Sequence, residues 1–230
     1  MKKGELKKQE ILRTAEARFC RDGYEKTSIQ DILDDLHTSK GSFYHHFVSK
    51  EALLEEICRN RAESTSEQVF ETLAEGMLPT ERLNALISGM IPFSGEKLSF
   101  LLMLIPVFSG PEGITVRNCY ANELEQLYLA PVAETLRAGT EQGLFACGDP
   151  EFSAKMLILL INRFWLEICD RILANEASER NTDPTDLMAV TCNYRLAAER
   201  LLIAPYGSID VILLPDLQTL TEQIHLHWRE

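Results

Sequence analysis

Along almost the whole chain apolar residues recur at intervals of three and four, and no convincing run alternates with period two, so the pattern predicts an all-α protein. Ile11, Leu12, Ala15 and Phe19 share one stripe of a first helix over about residues 5–21, and Gly23 is placed to stop it. Thr27 opens a short second helix, with Thr27 and Gln30 as its capping box and Ile29, Ile32, Leu33 and Leu36 on its inner face. A turn at His37 and Thr38 leads to Ser39, a good N-cap for a third short helix through about Phe47. Ser49 then caps a long fourth helix, carried by Leu53, Leu54 and Ile57 and ending near Gly76.

Beyond it the pattern predicts helices at about 80–92, 96–109, 115–143, 150–176, 184–204 and 216–229. Prolines and glycines punctuate them, most clearly Asp149-Pro150 and Asp183-Pro184, where a first-turn proline gives up an amide that has no helical partner. Residues 208–214, "SIDVILL", fit strand and helix equally well.

Three short helices within about 45 residues, the second and third joined by a tight turn, meet the requirements of a helix-turn-helix. In "LHTSKGSFYHHFVSKEALL", Phe43 and Phe47 are four apart and can face inward onto Phe19, Ile32 and Leu36. Lys40, Ser42, Tyr44, His45 and His46 are left for other faces.

Charge first argues against a nucleic-acid partner, because the net charge is -12 and phosphate binding rests on Lys and Arg. The excess is unevenly placed. Residues 1–61 carry 12 Lys and Arg against 11 Asp and Glu, whereas residues 62–230 carry 11 against 24. Two regions with different partners account for such a split. The six cysteines are widely spaced with no C-x-x-C pair, which suits buried thiols in a reducing compartment, with a redox sensor as the alternative. No apolar run reaches about 18 residues, so a cytoplasmic location is expected. Adjacent His45 and His46 diverge on a helix and His37 precedes the turn, so no metal site is expected.

The segments "ILRTAEARFCRDGYEKTSIQDIL" and "TSKGSFYHHFVSKEALL" resemble the amino-terminal DNA-binding domain of the TetR family of one-component transcriptional regulators. Phe19, Gly23, Tyr24, Thr27, Ser39, Lys40, Gly41, Tyr44, Phe47 and Lys50 all fall where that pattern has such residues; His37 departs from it, standing where a small turn residue is usual. The resemblance implies that Lys40, Ser42, His45 and His46 face base edges, while Thr27, Ser39, Tyr44 and Lys50 hold phosphates. It divides the chain into a helix-turn-helix domain at 1–48 and a helical effector-binding and dimerisation domain at 49–230.

For the second domain it implies a homodimer through residues 152–173 and 187–203, both apolar on more than one face, and a small-molecule pocket within residues 80–145. Phe93, Phe100, Met103, Phe108, Tyr120 and Tyr128 are candidates for its lining, with Arg117, Asn118, Asn122 or Glu123 as polar anchors. Pro106 and the break at 109–113 are expected helix ends. The function implied is a repressor that binds a palindromic operator and is released by an effector, with no cofactor. A helical enzyme or a protein-interaction module is the alternative, although no phosphate loop, nucleophile elbow or zinc-binding H-E-x-x-H is present.

Overall fold

The computed structural model describes residues 3–91, 97–110 and 113–227. Ten helices occupy the described residues: α1 (Lys3–Asp22), α2 (Ile29–Asp35), α3 (Lys40–Tyr44), α4 (Lys50–Thr72), α5 (Pro79–Met90), α6 (Lys97–Ser109), α7 (Gly113–Glu141), α8 (Pro150–Ala177), α9 (Pro184–Leu202) and α10 (Leu214–His227). The all-α expectation holds, and residues 208–213 are irregular rather than a strand.

Packing separates two compact units. One runs up to Arg61 and includes Ser99–Tyr120; the other comprises Ala62–Leu98 and continues from Ala121. The first therefore reaches past residue 48, because Leu53, Leu54, Ile57 and Cys58 of α4 are buried together with the three-helix core.

In the first unit Ile11, Leu12, Ala15, Phe19, Ile32, Leu33, Phe43 and Phe47 are buried, as their helical phase requires. Leu36, expected beside them, is only half-buried. Polar links on the rim brace the helices: Arg18 reaches both Asp31 O and Asp35, Lys8 pairs with Glu56 of α4, and Arg61 pairs with Glu16.

Pro106 does not end a helix. It lies inside α6, three residues before the end, with its ring exposed.

In the second unit α8 and α9 form an antiparallel pair. Phe164 and Tyr194 meet at 5.4 Å between ring centroids, and the Tyr194 hydroxyl donates to Glu167 at 2.9 Å. Both helices start as Asp-Pro predicts, with Asp149 accepting from Phe152 N and Asp183 from Thr185 N. Helix α10 packs on α9, and its Leu217, Leu220 and Ile224 are fully buried. Among the described residues no helix is long and apolar enough to cross a membrane.

Candidate functional site

The turn between α2 and α3 decides how the candidate reading helix is presented. Helix α2 starts one residue later than expected: Ser28, not Thr27, is the N-cap, and the reciprocal bond comes from Asp31, not Gln30. Ser28 Oγ accepts from Asp31 N at 3.2 Å, and Asp31 Oδ2 accepts from Ser28 N at 2.8 Å. The Ser28 hydroxyl and amide together hold the Asp31 carboxyl below its ordinary pKa.

Helix α2 closes with His37 in the left-handed region at φ 47°, and Thr38 N donates back to Leu33 O at 3.1 Å. This is the position where the resemblance marked a departure. The backbone takes the conformation that glycine favours, and a histidine occupies it.

Ser39 caps α3 as expected, its backbone extended and its Oγ accepting from Ser42 N at 3.3 Å. Helix α3 ends at Tyr44 rather than Phe47, and His45 and His46 form the turn that follows. Phe43 at its centre is fully buried, with Phe47 5.8 Å away between ring centroids. Around that anchor Ser39, Lys40, Tyr44 and His45 are exposed and Ser42 and His46 half-exposed, with Tyr44 at 54%. The two imidazoles pack edge to face at 4.9 Å. No cluster able to hold a metal ion exists among the described residues. The structure thus places five potential hydrogen-bonding side chains and one hydroxyl cap on the outside of a single turn.

Two expected phosphate ligands lie elsewhere. Thr27 is 2% exposed, and its hydroxyl donates to Gly23 O at 2.9 Å while its amide donates to Tyr24 O, so neither group faces outward. Lys50 points back into the unit, donating to Tyr24 O at 3.1 Å and Thr27 O at 3.3 Å with its ammonium 4.1 Å from the Tyr24 ring centroid. The lysine at the start of α4 thus adds a donor to Tyr24 O, beside the Thr27 amide, and one to Thr27 O. The exposed Lys40 makes no ion pair among the described residues.

The expected effector residues do not assemble into one site. Phe93 lies outside the described residues. Phe100, Met103, Phe108 and Tyr120 are buried in the first unit, where Arg117 is half-exposed, and Tyr128 is buried in the second. Tyr128 packs against Phe70 at 5.4 Å and fits only because residue 89 is glycine, whose added Cβ would fall 2.6 Å from its hydroxyl. A cavity of about 610 Å³ lies instead on one face of α7, between Asn122 and Arg137, with Glu151 at the start of α8. Leu129, Ala130 and Ala133 floor it. Its signal in the sequence was the small-residue pair Ala130 and Ala133 inside a polar helix face, which opens a groove without marking it as one.

Three of the six cysteines, Cys20, Cys119 and Cys192, are only partly buried, and Cys119 Sγ lies 3.9 Å from the Arg59 guanidinium and 4.0 Å from Glu55 O. Cys58, Cys147 and Cys169 are buried, and burial pushes the half-buried Cys20 thiol up to about 11. A further surface runs along α8, where Phe152, Met156, Leu159, Leu166 and Leu173 follow heptad spacing on its less buried side.

Comparison with known proteins agrees with this geometry. Residues 11–57 match the family of bacterial regulatory proteins described as tetR family. An uncharacterised HTH-type transcriptional regulator of Bacillus subtilis, YerO, is 29% identical over 142 residues, which cover 59% of this chain and 49% of that protein. The HTH-type transcriptional repressor KstR2 of Rhodococcus jostii is 28% identical over 142 residues, covering 60% of this chain and 68% of its own length. The match thus spans about half of the Bacillus relative.

Among solved structures, a tetR-family regulator from Mesorhizobium loti superposes with a TM-score of 0.56 at 21% identity, over 87% of this chain and 98% of that one. A TetR-family regulator from Pectobacterium atrosepticum gives 0.57 at 16% identity, over 89% of this chain and all of the other. These establish the fold through both units. Residues 11–57 thus match the tetR family of bacterial regulatory proteins, and the helical fold is shared with solved structures described as tetR-family over most of the chain.

Proposed function

We propose that the protein is a ligand-responsive transcriptional repressor, which binds a palindromic operator as a homodimer and leaves it when a small molecule binds the second unit. The observation that carries this reading is α3: a five-residue helix whose one large apolar side chain, Phe43, is buried while Lys40, Ser42 and Tyr44 surround it facing out. Lys40, Ser42, His45 and His46 read base edges, and Ser39 and Tyr44 hold phosphates. Residues 152–173 and 187–203 pair two copies, which brings two heads to the two half-sites of the operator.

The effector site is the groove on α7, whose volume and mixture of apolar floor and polar ends suit a small molecule. Relatives named as repressors support the sign of regulation. A regulator from Saccharomonospora viridis with the same fold was solved with choline bound, which supports a small-molecule effector without identifying this one. The protein acts by binding and carries no catalytic centre of its own, in the cytoplasm where its operator lies.

Electrophoretic mobility shift of the region upstream of the protein's own gene, in a salt series, tests the proposal. Sequence-selective binding that weakens with salt is expected. The absence of selective binding to any genomic fragment would overturn it.

A further inference from the structure

Spacing along the chain leaves the six cysteines unrelated, but the fold brings two of them to one contact. Cys58 is in α4 and Cys119 in α7, and both belong to the first unit. Glu55, Cys58 and Arg59 follow three- and four-residue spacing, so they share one face of α4. Cys119 lies against that face: its thiol donates to Glu55 O at 4.0 Å, and the Arg59 guanidinium donates to its sulfur at 3.9 Å. Cys58 stands between those two contacts. Burial raises the Cys58 thiol above its ordinary pKa, and the Cys119 sulfur adds to the rise, as it does only for a near neighbour. Cys20, the third thiol of this unit, is influenced by burial, Glu16 and Arg61 and by neither of these sulfurs.

The two settings divide the chemistry. Cys58 is fully buried, whereas Cys119 is partly exposed and follows the exposed Asn118, so a solute meets Cys119 first. The Arg59 guanidinium, paired with Glu56 at 2.6 Å, places a cation where negative charge gathers as that sulfur gives up its proton. Reactive thiols occupy such partly exposed, electropositive places, and a second thiol within reach turns their oxidation into a reversible link.

We propose that Cys58 and Cys119 form a reversible disulfide when the protein meets a peroxide, and that this link lowers its affinity for DNA. In the first step the Cys119 thiolate attacks one peroxide oxygen. The O–O bond breaks, the sulfur becomes a sulfenic acid, and the departing oxygen takes a proton and leaves as water. In the second step the Cys58 sulfur displaces the sulfenic hydroxyl, which leaves with the Cys58 proton as a second water while the S–S bond forms. Two thiols are oxidised and one peroxide is reduced. A dithiol reverses the link by exchange.

The link reaches the reading head through α4. To bond, Cys58 must turn its sulfur out of the core that it shares with Leu54 and Ile57, and Cys119 must leave Glu55 O and Arg59. A close-packed core does not absorb such a shift at one residue, so the helices packed on α4 move with it. The effect on DNA rests on the repressor reading proposed above; the link itself does not.

Hydrogen peroxide treatment of the full chain, followed by non-reducing peptide mass mapping and by mobility shift of the upstream fragment, tests both parts with Cys58→Ala and Cys119→Ser beside the wild type. The wild type is expected to yield peptides joined through Cys58 and Cys119 and lighter by two hydrogens. It should then bind the fragment about fivefold more weakly and recover on adding dithiothreitol. Cys119→Ser, at a partly exposed position, should form no link and keep its affinity through the treatment. Cys58→Ala should stop at a sulfenic acid that dimedone traps at Cys119; if the loss of a buried thiol unfolds this variant, the wild type and Cys119→Ser still decide. A wild type that stays reduced, or that joins Cys119 to another cysteine, would overturn the inference. A link between Cys58 and Cys119 that leaves affinity unchanged would overturn its effect on DNA. A reduced protein that binds no fragment selectively would overturn the repressor reading, and the peptide masses would still decide the link.

Discussion

Ser42 and Tyr44 sit two positions apart on one short helix, yet the contacts proposed for them differ in kind. A phenol bound to a phosphate orients the head on any sequence, whereas a serine at a base edge contributes only where that base offers a partner. Tyr44→Phe is therefore expected to weaken binding to every operator variant by a common factor. Ser42→Ala should relax preference at one base step, by about 1–3 kcal/mol. Titration against a panel of single-base operator variants separates the two, and equal effects across the panel would remove Ser42 from the readout. Lys50 gives the opposite kind of test. Because its ammonium is committed to Tyr24 O and Thr27 O, Lys50→Met should cost the first unit about 1–3 kcal/mol in a urea melt. The salt dependence of DNA binding should stay as in the wild type, whereas a phosphate ligand at this position would make the variant's dependence shallower.

At the level of elements, most of the fold was legible because it depends on local rules. The phase of Ile11, Ala15, Phe19, Ile32 and Phe43 fixed which faces are buried, and Asp-Pro fixed the starts of α8 and α9. The errors fell where two adjacent residues could play one part. Thr27 and Ser28 are both good caps, and only burial of Thr27 against Gly23 O decides between them. A lysine in a first turn reads equally well as a phosphate ligand or as a donor to carbonyls 23 and 26 residues away, a choice set by tertiary contact.

The capping box has a pH signature. Asp31 has its pKa lowered by the Ser28 hydroxyl and amide, so its stabilisation is present above the unfolded carboxyl pKa of about 3.9 and is lost as the pH falls through the lower folded value. Asp31→Asn should thus lower the melting temperature at pH 7 and converge on the wild type in strong acid; a constant difference would show that the charge plays no part. Close packing gives a second test, since a Cβ at Gly139 would lie 2.2 Å from the buried Phe145 ring. Gly139→Ala is expected to destabilise the second unit by about 1–3 kcal/mol in chemical denaturation, despite alanine's better helix propensity.

Over the whole molecule, the partition of charge sets how the protein can bind DNA. Residues 62–230 carry 24 acidic against 11 basic residues and residues 1–61 are nearly neutral, so no large basic field draws the chain to phosphate. With Lys50 engaged and Thr27 buried, the remaining contact set offers Lys40 as its one lysine, beside neutral donors and two histidines. The groove on α7 was illegible in the sequence for a related reason. Aromatic and Met side chains at helical spacing line cores as readily as cavities, and Phe100, Met103 and Phe108 went to the core, while the groove on α7 is made by what Ala130 and Ala133 leave empty. Affinity must then come largely from base edges and uncharged hydrogen bonds, and its dependence on salt should be shallow. A dimer that brings only its two Lys40 side chains to the duplex displaces about two counterions, which gives a slope of log K against log salt of about -2. Binding to unrelated DNA should be very weak at physiological salt, because it draws on the electrostatic contribution alone. Measured isotherms from low to moderate salt decide the matter: a slope near -8 would mean that lysines outside α3 carry the binding, and that the reading head assigned here is only part of the interface.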